Sequence, residues 1–195
     1  GLPPLLADSR PVEECMRTRR STREYAARPL SFREAGQLLW AAQGVTAPGG
    51  LRTAPSAGAV YPLRVYLAAW RVEGVEAGFY RYRPDEQALE LCWLGSRSAR
   101  LSEAAAGQEC VVSAPAAIVL AANLTRMTKE FGEHARRLAL IEAGHVGQNI
   151  CLEAAGLGLG SIGLGRFDAE RVKRLLELGA AEEPLYLLLA GAPAR

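Results

Sequence analysis

Two short, uninterrupted apolar runs constrain this chain more than any other feature: AAIVLAANL (116–124) and PLYLLLAGAP (184–193). Runs of this length, bounded by proline and polar turn residues, read as buried strands. Buried strands need neighbours, and two segments upstream supply them. LRVYLAAWRV (63–72) reads as a third strand. GFYRYRP and LELCWL, joined by the polar DEQA, read as a β-hairpin.

Between these strands the pattern turns helical. PVEECMRT (11–18) has Pro11 suited to a first helical turn. Ser31-x-x-Glu34 is a capping box, EAGQLLWAAQGV follows it, and Gly44 can end that helix. LSEAAAGQECV (101–111) is helical in character. From about Lys129 to Leu157, Leu138, Ile141, His145, Gln148 and Leu152 recur at three- or four-residue steps. This stretch carries Gly144 and Gly147, each costing about 1 kcal/mol against alanine in a helix, and small residues there permit close approach of another backbone. Asp168 caps AERVKRLLEL, which Gly179 ends. The composite is α+β: an antiparallel or mixed sheet of about five strands with helices packed on it.

The 195 residues suffice for one domain spanning 1–195. With 23 basic and 21 acidic residues the balance does not suggest a general nucleic-acid binder. No apolar run reaches the roughly 18–20 residues of a membrane span, and GLPPLLADSRP lacks the pattern of a signal peptide. Cys15, Cys92, Cys110 and Cys151 are far apart, with no CxxC. They fit reduced thiols in a cytoplasm, buried as small hydrophobes, better than disulfides or a zinc site.

Three segments carry candidate chemistry. RTRRSTREYAAR (17–28) holds five arginines opposed only by Glu24. Such a run is either a solvated basic face or a phosphate clamp, since forked guanidinium donors match phosphate oxygens and Ser21 adds a hydroxyl. RTAPSAGAVYPL (52–63) lies in a loop rich in proline and glycine. Pro55, Ser56, Ala57 and Gly58 could let backbone approach a flat ligand, or form an ordinary connector. GLGLGSIGLGRF (156–167) is dense in glycine but follows a helix, so it fails the strand–loop–helix order of a dinucleotide-binding fingerprint. A helix cap and turn explain part of it, and the rest could present backbone N–H groups to a ligand edge. EAGHVGQN puts Glu142, His145 and Asn149 at steps of three and four, a polar stripe whose partners a subunit interface or a cofactor could supply. No residue reads as a committed acid, nucleophile or metal ligand, which argues that a cofactor carries the reaction.

Taken together, RTRRSTREY, RTAPSAGAVYPL, GQECVVSAPAAIVLAANL, EAGHVGQNICLEAAGLGLGSIGLGRF and EEPLYLLLAGAP, in this order, resemble the nitroreductase family of FMN-dependent oxidoreductases, in particular its SagB-type dehydrogenase-like branch. The resemblance implies a three-layer α/β/α sandwich and a homodimer with FMN at the interface. It implies that Arg19, Arg20, Ser21 and Arg23 bind the FMN phosphate, ribityl chain and pyrimidine edge. Pro55, Ser56, Ala57 and Gly58 would pack on the flavin ring from the other subunit. Gln108 would lie near the ring or ribityl chain. Ser161, Ile162, Gly163, Leu164 and Gly165 would form a loop over its central ring, and Arg195 would join the phosphate site. Arg136 and Leu138 stand where the related branch often carries tyrosines.

The implied activity is ping-pong hydride transfer from NADH or NADPH through flavin N5 to a nitroaromatic, quinone or similar small-molecule acceptor. Azoline-to-azole oxidation on a peptide is an alternative within enzymes. A non-catalytic flavin-binding protein is an alternative outside them.

Overall fold

A computed structural model describes residues 1–5 and 10–194. The chain opens with helix α1 (Val12–Thr18) and helix α2 (Phe32–Gln43), then a two-stranded hairpin of β1 (Val45–Ala47) and β2 (Leu51–Arg52). Strands β3 (Leu63–Ala69), β4 (Gly78–Arg83) and β5 (Ala88–Leu94) follow. Helices α3 (Ser98–Ala104) and α4 (Cys110–Ser113) lead to β6 (Ala116–Asn123). Helix α5 (Thr125–Phe131) and the long α6 (Ala135–Gly156) precede β7 (Gly160–Leu164), α7 (Ala169–Leu175) and β8 (Glu182–Gly191).

The main sheet has six strands in the order β5-β4-β3-β6-β8-β7, and every neighbouring pair is antiparallel. The expected five strands are all present. The sixth, β7, comes from the glycine-dense segment, which reads as a loop in the sequence. It forms because its main chain pairs with β8 from Gly160↔Gly191 to Leu164↔Leu187.

Strand alternation divides the core into two layers. Leu63, Val65 and Leu67 of β3 pack with Ile118 and Leu120 of β6 against α2 and α6, alongside Leu38, Leu39, Val146 and Ile150. The intervening Tyr66, Ala68, Ala117 and Val119 face Leu101, Val111 and Val172 of α3, α4 and α7. The result is helices on both faces of an antiparallel sheet, the three-layer arrangement expected.

Three helical expectations are refined. The capping box at Ser31 is formed in full: Ser31 Oγ accepts from Glu34 N at 3.2 Å, and Ser31 N donates to the Glu34 carboxylate at 2.7 Å. The pattern from Lys129 to Leu157 is interrupted by a 3-10 turn at Gly132–His134, where Gly132 has φ +53 and ends α5. The helix expected over 101–111 splits into α3 and α4, with Ala106 (φ +61) and Gly107 (φ +72) in the left-handed region between them. Of the cysteines expected inside, Cys15 and Cys110 are buried and Cys151 half-buried, but Cys92 is exposed on the edge strand β5. No described helix is long and apolar enough to cross a membrane.

Candidate functional site

The arginine segment does not hang free. Thr22 N donates to Ser161 O at 3.0 Å, so Ser21 forms a parallel bridge with Ser161 at the outer edge of β7. Ala26 N donates to Ala192 O and Ala194 N to Glu24 O, both at 2.9 Å, tying the same segment to the chain beyond β8. The approach at β7 is so close that a Cβ on Gly160 would lie 2.4 Å from Thr22 Oγ1, which is why glycine stands there.

These contacts build a cleft of about 310 Å3 between the arginine segment, the end of α6 and the start of β7. Arg19, Arg20, Cys151, Ala155 and Ser161 line it, with Arg10, Thr18 and Thr22. Arg20 Nη1 donates to the carbonyls of Arg17 and Arg19 at 2.9 and 2.8 Å, which fixes the guanidinium against its own turn. Among the described residues neither Arg19, Arg20 nor Arg23 has a carboxylate partner within 4.0 Å. Arg28, by contrast, is held by Glu34 at 2.8 and 3.2 Å and is structural. Arg19 and Arg20, with no carboxylate partner among the described residues, line the cleft beside a backbone edge and make a donor set suited to a phosphate, while Arg23 lies outside the lining, near Cys110. The residues therefore fit the phosphate end of a flavin mononucleotide.

The glycine-rich strand contributes backbone. Ser161 points its carbonyl outward to Thr22, and residues two apart in a strand share an edge, so the main-chain groups of Gly163 face the same side. Tyr186 of β8 explains two glycines at once. A Cβ on Gly163 would sit 2.1 Å from its hydroxyl, and one on Gly147 of α6 would sit 2.7 Å from its ring. Gly144, one turn earlier, faces open space.

The Pro55–Gly58 loop is not in this cleft. Gly58 (φ +58), Ala59 (φ +51) and Tyr61 (φ +50) all lie in the left-handed region, held where Tyr61 N donates to Ser56 Oγ at 2.9 Å. Non-glycine residues there are strained, and such strain concentrates at functional sites. Ser56 sits beside Glu142, whereas the cleft takes Ala155 from the same helix. Thirteen residues of α6 separate these two positions, about 20 Å at 1.5 Å per residue. The sheet register agrees: the loop feeds Leu63, while Ser161 is level with Ala69, at the other end of β3. The arginine cleft and the strained loop thus lie at opposite ends of the sheet.

Gln108 lies in the α3–α4 turn, where its Nε2 donates to Ala105 O at 2.9 Å and its carbonyl accepts from Ser102 Oγ at 2.8 Å. The adjacent Cys110 feels the charge of Arg23, which puts this turn on the arginine side. Ile162 and Leu164 are buried under the sheet, and Gly165 is exposed. Arg195 lies outside the described residues.

The polar stripe of α6 finds its partners within the chain. Glu142 accepts from Gln43 Nε2 at 3.2 Å, with Arg52 Nη1 donating to Gln43 Oε1 at 3.1 Å. Burial pushes the Glu142 carboxyl above the usual range, opposed by Ser56, Gln43 and Arg52. Asn149 donates to the carbonyls of Ala41 and Thr53, both at 3.2 Å. His145 does not join them and is exposed on the outer face. Thr22, Cys151 and Ala155 are cleft residues that sequence reasoning did not pick out. Thr22 was within reach, because it sits inside the arginine motif.

Comparison with known proteins fits this geometry. The model of the nitroreductase family matches residues 16–192. A candidate nitroreductase of Methanocaldococcus jannaschii is 38% identical over 180 residues, covering 92% of this chain and 90% of its own. The crystal structure of a candidate nitroreductase from Ralstonia eutropha JMP134 superposes with a TM-score of 0.87 at 30% identity, covering 99% of this chain and 88% of that one. A chain of the E. coli microcin synthetase McbBCD complex, solved with truncated pro-MccB17 bound, superposes at 0.80 with 25% identity, covering 91% of this chain and 70% of that one.

Proposed function

This chain belongs to the nitroreductase family, and on that premise we propose that it is an FMN-dependent NAD(P)H oxidoreductase working as a homodimer. One observation carries the reading: Arg19, Arg20 and Arg23 have no carboxylate partner among the described residues, and the Thr22–Ser161 hydrogen bond fastens their segment to the open edge of β7, where Arg19 and Arg20 line the cleft. In this reading the three guanidinium groups and Ser21 hold the flavin phosphate and the polar edge of the ring. The outward N–H of Gly163 would be available to the ring's central portion. Bound FMN supplies the redox chemistry, taking a hydride from NADH or NADPH and passing it to a nitroaromatic, quinone or similar acceptor. The chain's own contribution is binding, orientation and the cationic field that favours negative charge on the reduced ring.

The second copy follows from the separation of cleft and loop. On α6 the outward residues Ile141, Gly144 and Gln148 and the half-buried Cys151 recur at steps of three and four, and the buried Ala155 continues the same line. Leu140 and Ile141 are 42% and 46% exposed, and the stripe runs directly into the cleft through Cys151 and Ala155. A second chain docked on this stripe would bring its Pro55–Gly58 loop to the cleft, and the contact would be reciprocal as two-fold symmetry requires.

The likeness to a chain of the microcin synthetase complex favours a second reading, oxidation of azoline rings in a modified peptide. Purified protein with a flavin spectrum that bleaches on anaerobic titration with NADH or NADPH supports the first reading. Flavin that resists both nicotinamides but catalyses azole formation on a cyclodehydrated peptide supports the second. In either case Arg20→Ala with Arg23→Ala releases FMN from a folded protein; unchanged flavin content in that variant refutes the phosphate assignment.

A further inference from the structure

A second arginine-lined cleft, of about 440 Å3, wraps the end of the sheet where β3 begins and β4 and β6 end. We propose that it is a second anion site, which takes a phosphate-bearing small molecule. Five arginines line it, Arg52, Arg64, Arg81, Arg83 and Arg126, against one carboxylate, Asp85. In a chain whose formal net charge is only +2, that is a concentrated field of one sign.

The arginines differ in what already holds them. Arg64 is paired with Glu182 at 2.8 Å, and Arg83 with Glu86 and Glu90 at 3.1 and 3.4 Å. Arg52 stacks over Tyr61 at 4.9 Å, bonds Gln43 and has the buried Glu142 behind it. Arg81 and Arg126 have no ion pair among the described residues. Glu90 stands opposite Arg81 in the β4–β5 register but is engaged by Arg83. Two polar atoms at the floor also want partners: the hydroxyl of Tyr82, a residue 2% exposed, and Arg52 Nε are buried without a hydrogen bond.

The arrangement selects the class of anion. Arg81 comes from β4, one strand in from the sheet edge and on the face opposite Tyr82, Arg126 from α5 and Arg52 from the small hairpin, so donors reach the sheet end from separate directions. A tetrahedral phosphate offers oxygens in several directions, whereas a single carboxylate accepts in one plane. Asn123, whose carbonyl oxygen accepts from Thr125 N at 3.2 Å, keeps its amide donors free at the rim. The volume falls in the range of small-molecule sites. The site is separate from the Arg19–Arg23 cleft, sharing no residue with it.

The test uses inorganic pyrophosphate as the probe. The background is Arg20→Ala with Arg23→Ala, which weakens the other cluster and separates the result from flavin binding. Isothermal titration at low salt is expected to give saturable binding in this background. Adding Arg81→Ala with Arg126→Ala is expected to weaken it at least tenfold, with circular dichroism and melting unchanged. The charge-preserving Arg81→Lys with Arg126→Lys is expected to fall between the two. The proposal is overturned if pyrophosphate does not bind, if removing Arg81 and Arg126 leaves affinity unchanged in a folded protein, or if citrate binds as tightly as pyrophosphate.

Discussion

Glu142 is the residue whose setting says most about the chain's chemistry. It is 1% exposed, one carboxylate oxygen is bonded to Gln43, and the other has only the Ser56 hydroxyl near it, with no well-formed hydrogen bond. A buried carboxylate with an unsatisfied oxygen costs free energy whenever it is ionised. Burial raises the folded-state value above the ordinary 4.5. The unfolded chain therefore loses this proton first as pH rises. Between 4.5 and the folded value the native state binds more protons, so stability falls with increasing pH across that window. Glu142→Gln keeps an acceptor for Gln43 and removes the ionisable group. Its melting temperature should match the wild type below 4.5 and exceed it at neutral pH, as calorimetry across a pH series would register. A wild-type melting temperature whose pH dependence survives the substitution unchanged would exclude Glu142 as the source.

At the scale of elements, β7 separates what the sequence makes legible from what only packing reveals. The strands over 63–69, 116–123 and 182–191 announce themselves by their predominantly apolar residues, and α2 by its capping box. Gly160 and Gly163 are poor strand formers, so local propensity reads their segment as a turn. The strand exists because its main chain pairs with β8, and it carries glycine because Thr22 leaves no room for a side chain at 160 and Tyr186 leaves none at 163. Those contacts are distant in sequence and leave no periodic trace. The hairpin of β1 and β2 was closer to legible, since Gly49 and Gly50 supply the positive φ of its turn. The break before α6 was hidden by apolar periodicity that runs through it. In the site, the arginine motif and glycine-rich segment could be read locally, while their juxtaposition through Thr22 and Ser161 depends on tertiary structure. Gly163→Ala should destabilise the fold by about 1–3 kcal/mol through overpacking. Because the closest clash is with the Tyr186 hydroxyl, adding Tyr186→Phe should recover part of the loss in urea unfolding. Equal destabilisation of single and double variants would argue against that clash.

At the scale of the whole molecule, the separation of cleft and loop is what the proposed function rests on. The arginine cleft lies at the Ala69 end of the sheet, the strained loop at the Leu63 end, and α6 carries an exposed stripe leading into the cleft. In the proposed function these are the parts of one flavin site, which only a second copy would bring together. The same sheet end that bears the loop also bears the second arginine cleft, so the proposed phosphate-bearing ligand would bind beside the loop.

Complementation tests the composite flavin site most directly. Arg20→Ala with Arg23→Ala disables the cleft, while Pro55→Trp, on an exposed loop position, blocks the space the loop should offer a ring. Each variant alone should purify without FMN. Unfolded and refolded together in equal amounts, random pairing puts half the chains in mixed dimers with one intact site each, so about one site in four should regain FMN. Recovery near that level supports a site shared between two copies; no recovery, with mixed dimers demonstrably present, contradicts it.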